Sequence, residues 1–536
     1  MRRILGTMLA ILVSYGAIAQ ILTESNLPII VINTDGGDEI PDEPKINGTM
    51  GIINNGDGMT NSLSDPFNYH FGNIGIETRG NSTQDFEKKT YSLELRNEAN
   101  QDTSINLFNM GKEEDWILHA MVIDKTQIRI PFSFYVFQQM GHYASDWQYV
   151  ELVINGDYRG LYLFCERIKR DDDRVDIAKL SEDEITGDDV TGGYILRIDW
   201  TYDYEGAGFE SQFESQSGDN MIYQWYYPRE EAIQPEQAQY IENWMYRFES
   251  AAFSNDYMND QGERYTDLIN VSSFTDFLLI NELSKNADGY KLSSYIHKDK
   301  DSNGGKLVAG PIWDFDQSYG SSLVCSTHIP EGWTYLQEQD GCEDLESMPM
   351  WWQRMMQDSI FTNHLACRWS QFRQDFLSLD AINNWIVEDT TLISQALTRN
   401  YMRWDDVIGE YIWIEPDPLP ETYQEEVEVM QNWISQRVAW LDANMPGNCE
   451  FDVITNVESP EILQASVYPN PAGYVVNVRT NEAVQINLID AQGRVIYQSQ
   501  LPQSQFIIDV SAFAKGTYIL RLEGDNSVGV ERLVVQ

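Results

Sequence analysis

The hydrophobic period changes twice along this chain, and the two changes constrain its architecture. Up to Ile198 apolar and polar residues alternate, as in Ile74-Gly75-Ile76-Glu77-Thr78 and Thr90-Tyr91-Ser92-Leu93-Glu94-Leu95. Strands with one buried face read that way. From Pro235 the spacing becomes helical. Gln237–Phe253 and Ser272–Asn286 are predicted helices, and several Trp-rich ones occupy 350–445, broken by Pro416, Pro418 and Pro420. Residues 446–466 have the Pro, Gly, Asn and Glu content of a linker, and 467–536 return to short alternating runs separated by turns such as Ala491-Gln492-Gly493. Strands first and helices after give an α+β fold, and a span of 20–445 is long enough for two lobes with separate cores. The remainder fits a small Ig-like β-sandwich.

Local patterns fill in the first half. Leu27–Ile32 reads as a strand, followed by a Gly/Asp/Pro-rich turn region through Asp65. Asp124 is placed to cap a helix running to Met140. Val150–Ile154 and Gly160–Cys165 flank Asn155-Gly156-Asp157, a hairpin signal, and Gly192–Ile198 is a further strand.

Arg2 and Arg3, the apolar run Ile4–Ile18 and the small residues of Ala17-Ile18-Ala19 make 1–19 a signal peptide. The run falls short of a bilayer span, and no other segment reaches one, so no transmembrane segment is expected after leader removal. In an oxidising compartment Cys325 and Cys342 could pair across a local loop, while Cys165 reads as a buried strand thiol. The formal charge of −48 excludes a nucleic-acid binder that works through a basic surface, and disfavours docking on anionic membranes.

Chemistry concentrates in two stretches, Asn281–Lys291 and Gly310–Gly320. A helix runs into a loop bearing Asp288; a hairpin with strands Ser294–His297 and Lys306–Ala309 then delivers Asp314. Phosphoryl transfer to a hydroxyl needs one carboxylate to orient the acceptor and another to hold Mg²⁺ on the phosphates. Lys291 is near enough in sequence to neutralise a transferring group. Upstream, Arg79-Gly80-Asn81-Ser82-Thr83 is a turn able to offer backbone N–H groups to an anion, and either Lys88 or Lys89 could face a nucleotide phosphate. Each signal alone also fits a solvated turn or face. Asp299-Lys300-Asp301-Ser302-Asn303-Gly304 begins like a calcium loop, but Gly310 stands where the twelfth-position Glu is required, so it reads as a hairpin turn. His119 and His297 sit in apolar contexts and read as core or half-buried residues rather than ligands.

As an ordered series, Arg79–Tyr91, Asp115–Arg129, Gly160–Arg167, Asn281–Tyr290 and Gly310–Gly320 resemble the CotH family of atypical, kinase-fold proteins, from about Leu27 to Asn444. The resemblance implies a catalytic aspartate at Asp288, a metal-binding aspartate at Asp314 with Asp316 as a second candidate, and a phosphate-binding lysine at Lys89 or Lys88. It also implies adenine contact at the Glu166-Arg167-Ile168 hinge. The series departs from a kinase loop in lacking an Asn after Asp288, and no αC glutamate is identifiable. Val467-Tyr468-Pro469-Asn470-Pro471, Leu488–Arg494 and Ala514–Leu522 resemble the type A sorting domain of the type IX secretion system of Bacteroidetes bacteria. Together the resemblances imply a protein exported through the periplasm to the surface or medium by type IX machinery. It would use ATP and Mg²⁺ to phosphorylate Ser/Thr hydroxyls of secreted or surface proteins. The alternative is a non-catalytic surface adhesin or carbohydrate-associated module on the same fold.

Overall fold

A computed structural model describes residues 22–449, except 202–206, 216–217, 338–341, 343–345 and 347. It also describes residues 465–535, except 469, 471, 473, 490–493, 500–502, 512, 514 and 524–527. The leader and most of the linker therefore lie outside the described residues, as do parts of the tail motifs. The chain divides into two compact units, 1–449 and 450–536.

In the first unit seven strands close a barrel: β1 (Ile29–Thr34), β2 (Ile46–Ile53), β3 (His70–Arg79), β4 (Thr90–Arg96), β5 (Asp115–His119), β6 (Trp147–Ile154) and β7 (Asp157–Glu166). The order around it is β6-β7-β5-β4-β3-β2-β1, and the parallel pairing of β1 with β6 shuts the ring. Alternation does what the sequence asks of it. Ile30, Ile32, Met50, Ile52, Ile74, Ile76, Leu93, Trp116 and Phe164 fill the interior, while Ile117, Leu161, Leu163 and Cys165 join a second, larger core outside. The β6–β7 turn has Asn155 at φ 52° and Gly156 at φ 80°, the two positive angles of a type I′ hairpin. Strand β2 lies where a turn region is expected, because its glycines hide the alternation. They are demanded by packing: a Cβ on Gly48 would come 2.7 Å from the Asn33 carbonyl, and one on Gly51 2.5 Å from the Phe67 ring.

Helix α1 (Arg129–Gln139) starts four residues later than the cap pattern suggests, with Ile128 rather than Asp124 at the N-cap. Gln127 adopts φ 59°, which breaks the helical path. Asp124 still acts on the helix start, accepting from Arg129 N at 2.8 Å and from Thr126 N at 2.9 Å. Beyond the barrel a five-stranded sheet, all neighbours antiparallel, runs Gly208–Glu214, Asn220–Tyr227, Tyr194–Ile198, Ser294–Lys298, Leu307–Ala309. Helices α2 (Pro235–Phe253) and α3 (Val271–Ser284) pack against it, α4 (Ser359–Arg373) and α6 (Tyr423–Asn444) pack on α3, and α5 (Leu379–Arg403) lies along barrel strand β7. Helix α3 is buried on nearly every side, and Lys285 ends it in the left-handed conformation at φ 44°. The 301–303 turn holds its acidic groups internally, Asp299 accepting from Ala178 N and Asp301 from Lys298, as a hairpin turn rather than a calcium loop.

Two disulfides join Cys325 to Cys342 and Cys367 to Cys449, leaving Cys165 as a buried thiol. In the second unit a long strand, Val475–Ile489, pairs along its first part with Gln503–Asp509 and along its second with Gly516–Glu523. Val476, Val478, Ile486, Leu488, Leu520 and Leu522 form its core.

Candidate active site

Strand register carries the site residues to one place. Arg79 ends β3 opposite Thr90, which opens β4, and His119 ends β5 one residue beyond Leu118, the partner of Tyr91. All three therefore stand at one rim of the barrel. In the other sheet Ile198 is registered with Ser294, which sets Asp199 and Ser293 side by side. The loop after α3 is sewn to the loop after Leu307–Ala309: Tyr319 N donates to Ser284 O at 2.7 Å and Ala287 N to Gln317 O at 3.1 Å. Asn286 Nδ2 donates to the Asp314 carbonyl at 3.1 Å. These bonds bring Asp288, Asp314 and Asp316 to the same cavity as Arg79, Thr90, His119 and Asp199, about 410 Å³ in volume. Trp200, Trp313 and Trp413 supply aromatic wall. The volume lies in the ordinary range of small-molecule sites.

Asp314 sits at φ 55°, an uncommon backbone for a non-glycine residue, and its carboxylate accepts from Ser293 Oγ at 2.6 Å. Burial raises it to about 6; the Ser293 bond opposes that rise and the Asp199 charge adds to it. Asp316 is buried, and burial, then the charges of Asp314, Asp288 and Asp124, push its carboxyl well above the usual range. Among the described residues no cation pairs with it. Burial, with Arg79 and Lys88 nearby, lowers His119 to about 3 and keeps it neutral, and its Nδ1 accepts from Met121 N at 3.0 Å. Arg79 lies 5.8 Å from the Trp313 ring centre and, among the described lining residues, is the one cation.

A buried carboxylate facing two others without a cationic partner is a hard, oxygen-rich donor set that fits Mg²⁺. Among the described residues, Asp288, Asp314 and Asp316 do not all come within 4.8 Å of one another. The carboxylates that do converge so closely, Glu113, Glu114 and Asp115, have Lys169 Nζ among them at 2.8, 2.6 and 3.1 Å and are already neutralised.

The other sequence-derived candidates are held outside the cavity. Lys88 is buried, donates to Leu161 O at 2.8 Å and Gln127 Oε1 at 3.3 Å, and lines a separate cavity of about 260 Å³ with Asn400 and Trp404. Burial lowers its ammonium to about 7. Lys89 turns back to the Gln84 carbonyl. Lys291 is buried with Nζ 3.7 Å from the disulfide sulfur of Cys325. The Glu166 carboxylate meets Arg174 at 3.0 Å and accepts from Tyr143 OH and Asp146 N, and burial raises it to about 7. Sequence reading named His119 as a core or half-buried residue rather than a ligand, and missed Asp199, Trp200 and Trp413. Asp199 had a usable signal, as a carboxylate directly after a predicted strand. Trp413 had none, lying more than ninety residues beyond Gln317 in a proline-rich break.

The fold defines an acidic α+β domain with a cavity between a barrel rim and a second sheet. The family model described as CotH kinase protein matches residues 76–441, and that of the secretion system C-terminal sorting domain matches 466–536. The chain belongs to the CotH kinase protein family, and its sorting domain directs it through type IX secretion to the cell surface or extracellular space. No curated protein matches it. Among the described residues no helix is long and apolar enough to cross a membrane.

Proposed function

We propose that this protein is an exported kinase that moves the γ-phosphoryl of ATP to a Ser/Thr hydroxyl of secreted or surface proteins. The observation that supports this reading is Asp316, a buried carboxylate beside Asp288 and Asp314 with no cationic partner among the described residues. Asp316 and Asp314 would hold Mg²⁺, which when bound offsets charge on the phosphate oxygens. Asp288 takes the proton of the acceptor hydroxyl as its oxygen forms a bond to the γ-phosphorus; the bond from that phosphorus to the bridging oxygen breaks and ADP leaves. Arg79, on the barrel rim, would meet the phosphates, and His119 beside it is neutral.

A second reading has its own observation. Three tryptophans around a carboxylate-lined cavity with one lining cation also suit a sugar, whose C–H face stacks on indole. This is the non-catalytic, carbohydrate-associated alternative. Calorimetry with MgATP separates the two, followed by phosphoryl transfer from γ-labelled ATP to co-secreted proteins. Binding and labelling by the wild type support the kinase; no heat at millimolar MgATP removes it.

A further inference from the structure

The second half of the chain returns to the cavity through the segment between α5 and α6, residues 404–422. It reads in sequence as a break between helices, yet Trp413 and Ile414 line the cavity. Its placement is fixed at several points. Lys125, 2% exposed, binds Glu415 at 2.8 Å and the Glu410 carbonyl at 2.7 Å. Leu323 N donates to Ile414 O at 2.9 Å, tying the segment to the loop beyond Gly320. Trp413 Nε1 donates to Gln317 Oε1 at 2.9 Å, directly after Asp316, and the ring lies 5.9 Å from Phe86.

We propose that Trp413 is a ligand-contacting residue, the platform on which the base of the nucleotide stacks. The inference rests on the nucleotide reading above. Trp413 suits the task better than Trp313. Trp313 is 8% exposed, with Arg79 over its ring and Phe134 packed 5.8 Å away. Trp413 is half-buried, and its one polar atom is committed to Gln317, so what remains for a ligand is the π-face. Base stacking on an aromatic side chain tolerates any base, which predicts weak discrimination between ATP and GTP. The Gln317 bond also links the platform to the aspartates: Gln317 O accepts from Ala287 N, one residue before Asp288.

The full chain is labelled with 5-fluorotryptophan, and the Trp413 resonance is assigned by its loss in Trp413→Phe. MgATP, MgGTP and Mg-tripolyphosphate are then titrated. The expected result is a shift of that resonance with both nucleotides and none with tripolyphosphate. Trp413→Ala weakens MgATP about tenfold or more, Trp413→Phe weakens it less, and neither changes tripolyphosphate binding. If Trp413→Ala binds MgATP as the wild type does, or the resonance moves equally with tripolyphosphate, the platform is refuted while the phosphate and metal reading stands. If none of the three ligands binds, both fall. Loss of tripolyphosphate binding in Trp413→Ala would mean that the site has collapsed, and would also refute a stacking role.

Discussion

Arg437 and Glu282 are both fully buried and lie 3.0 Å apart, and the loop that carries Asp288 depends on them. Glu282 also accepts from Tyr290 OH, Thr334 N and Tyr335 N, at 2.9, 2.8 and 2.9 Å. Arg437 donates besides to the carbonyls of Glu282, Pro330 and Gly332. The clasp thus joins α3, α6, the Asp288 loop and the 330–335 turn. Burial lowers the guanidinium to about 10, so desolvation costs much of what the pair gains. Its net worth is small, but breaking it is severe. Arg437→Met strands a carboxylate in the core and exposes three carbonyls to no donor, a loss of about 3–5 kcal/mol. With a urea m-value of about 3 kcal/mol/M, the midpoint falls by roughly 1–1.7 M. Removing the stranded charge as well, in Glu282→Gln/Arg437→Met, returns part of that loss, so the double variant is more stable than Arg437→Met. Urea unfolding followed by tryptophan fluorescence measures both. An Arg437→Met midpoint within 0.3 M of wild type (about 1 kcal/mol at that slope), or a double variant less stable than the single, would refute the reasoning.

Asp288→Ala is expected to abolish phosphoryl transfer while MgATP affinity, measured by calorimetry, changes little; equal transfer by the variant removes Asp288 from its role. Glu249 is buried against Tyr223 OH and Ser211 Oγ, and burial raises it to about 7. A raised carboxyl stabilises the fold fully below its unfolded value near 4.5, and that contribution is lost as pH climbs toward and through 7. Urea midpoints therefore fall between pH 5 and 8, and Glu249→Gln flattens the decline; an unchanged slope contradicts this. Cys367–Cys449 closes a loop of 82 residues, so Cys367→Ser/Cys449→Ser should lower stability by about 4 kcal/mol in urea titration, and no loss would place the stabilisation elsewhere.

The barrel strands β1, β3, β4, β6 and β7 and helices α2 and α3 were largely legible, because their apolar spacing is regular; the short β5 was not. Strand β2 was not, since Gly48 and Gly51 interrupt alternation for reasons of close approach that only the folded neighbours reveal. Asp288, Asp314, Asp316 and Arg79 were readable from their loops and meet in one cavity. Lys88, Lys89 and Lys291 were nominated by charge and position and Glu166 by the resemblance, but neither says where a long side chain turns. Lys88 and Lys89 end on backbone carbonyls, and Glu166 on Arg174. The tryptophan face of the cavity comes from chain far apart in sequence. No local pattern can place Trp413 beside Gln317.

The claim most exposed to experiment is that Asp316 has no cationic partner among the described residues because a metal fills that role. Mn²⁺ binding, followed by electron paramagnetic resonance with a non-hydrolysable ATP analogue present, tests it on the full chain. The account predicts bound Mn²⁺ in the wild type, with at least tenfold weaker binding in Asp316→Asn although the variant keeps the wild-type fold. Mn²⁺ bound equally by Asp316→Asn, or by neither protein, would contradict it.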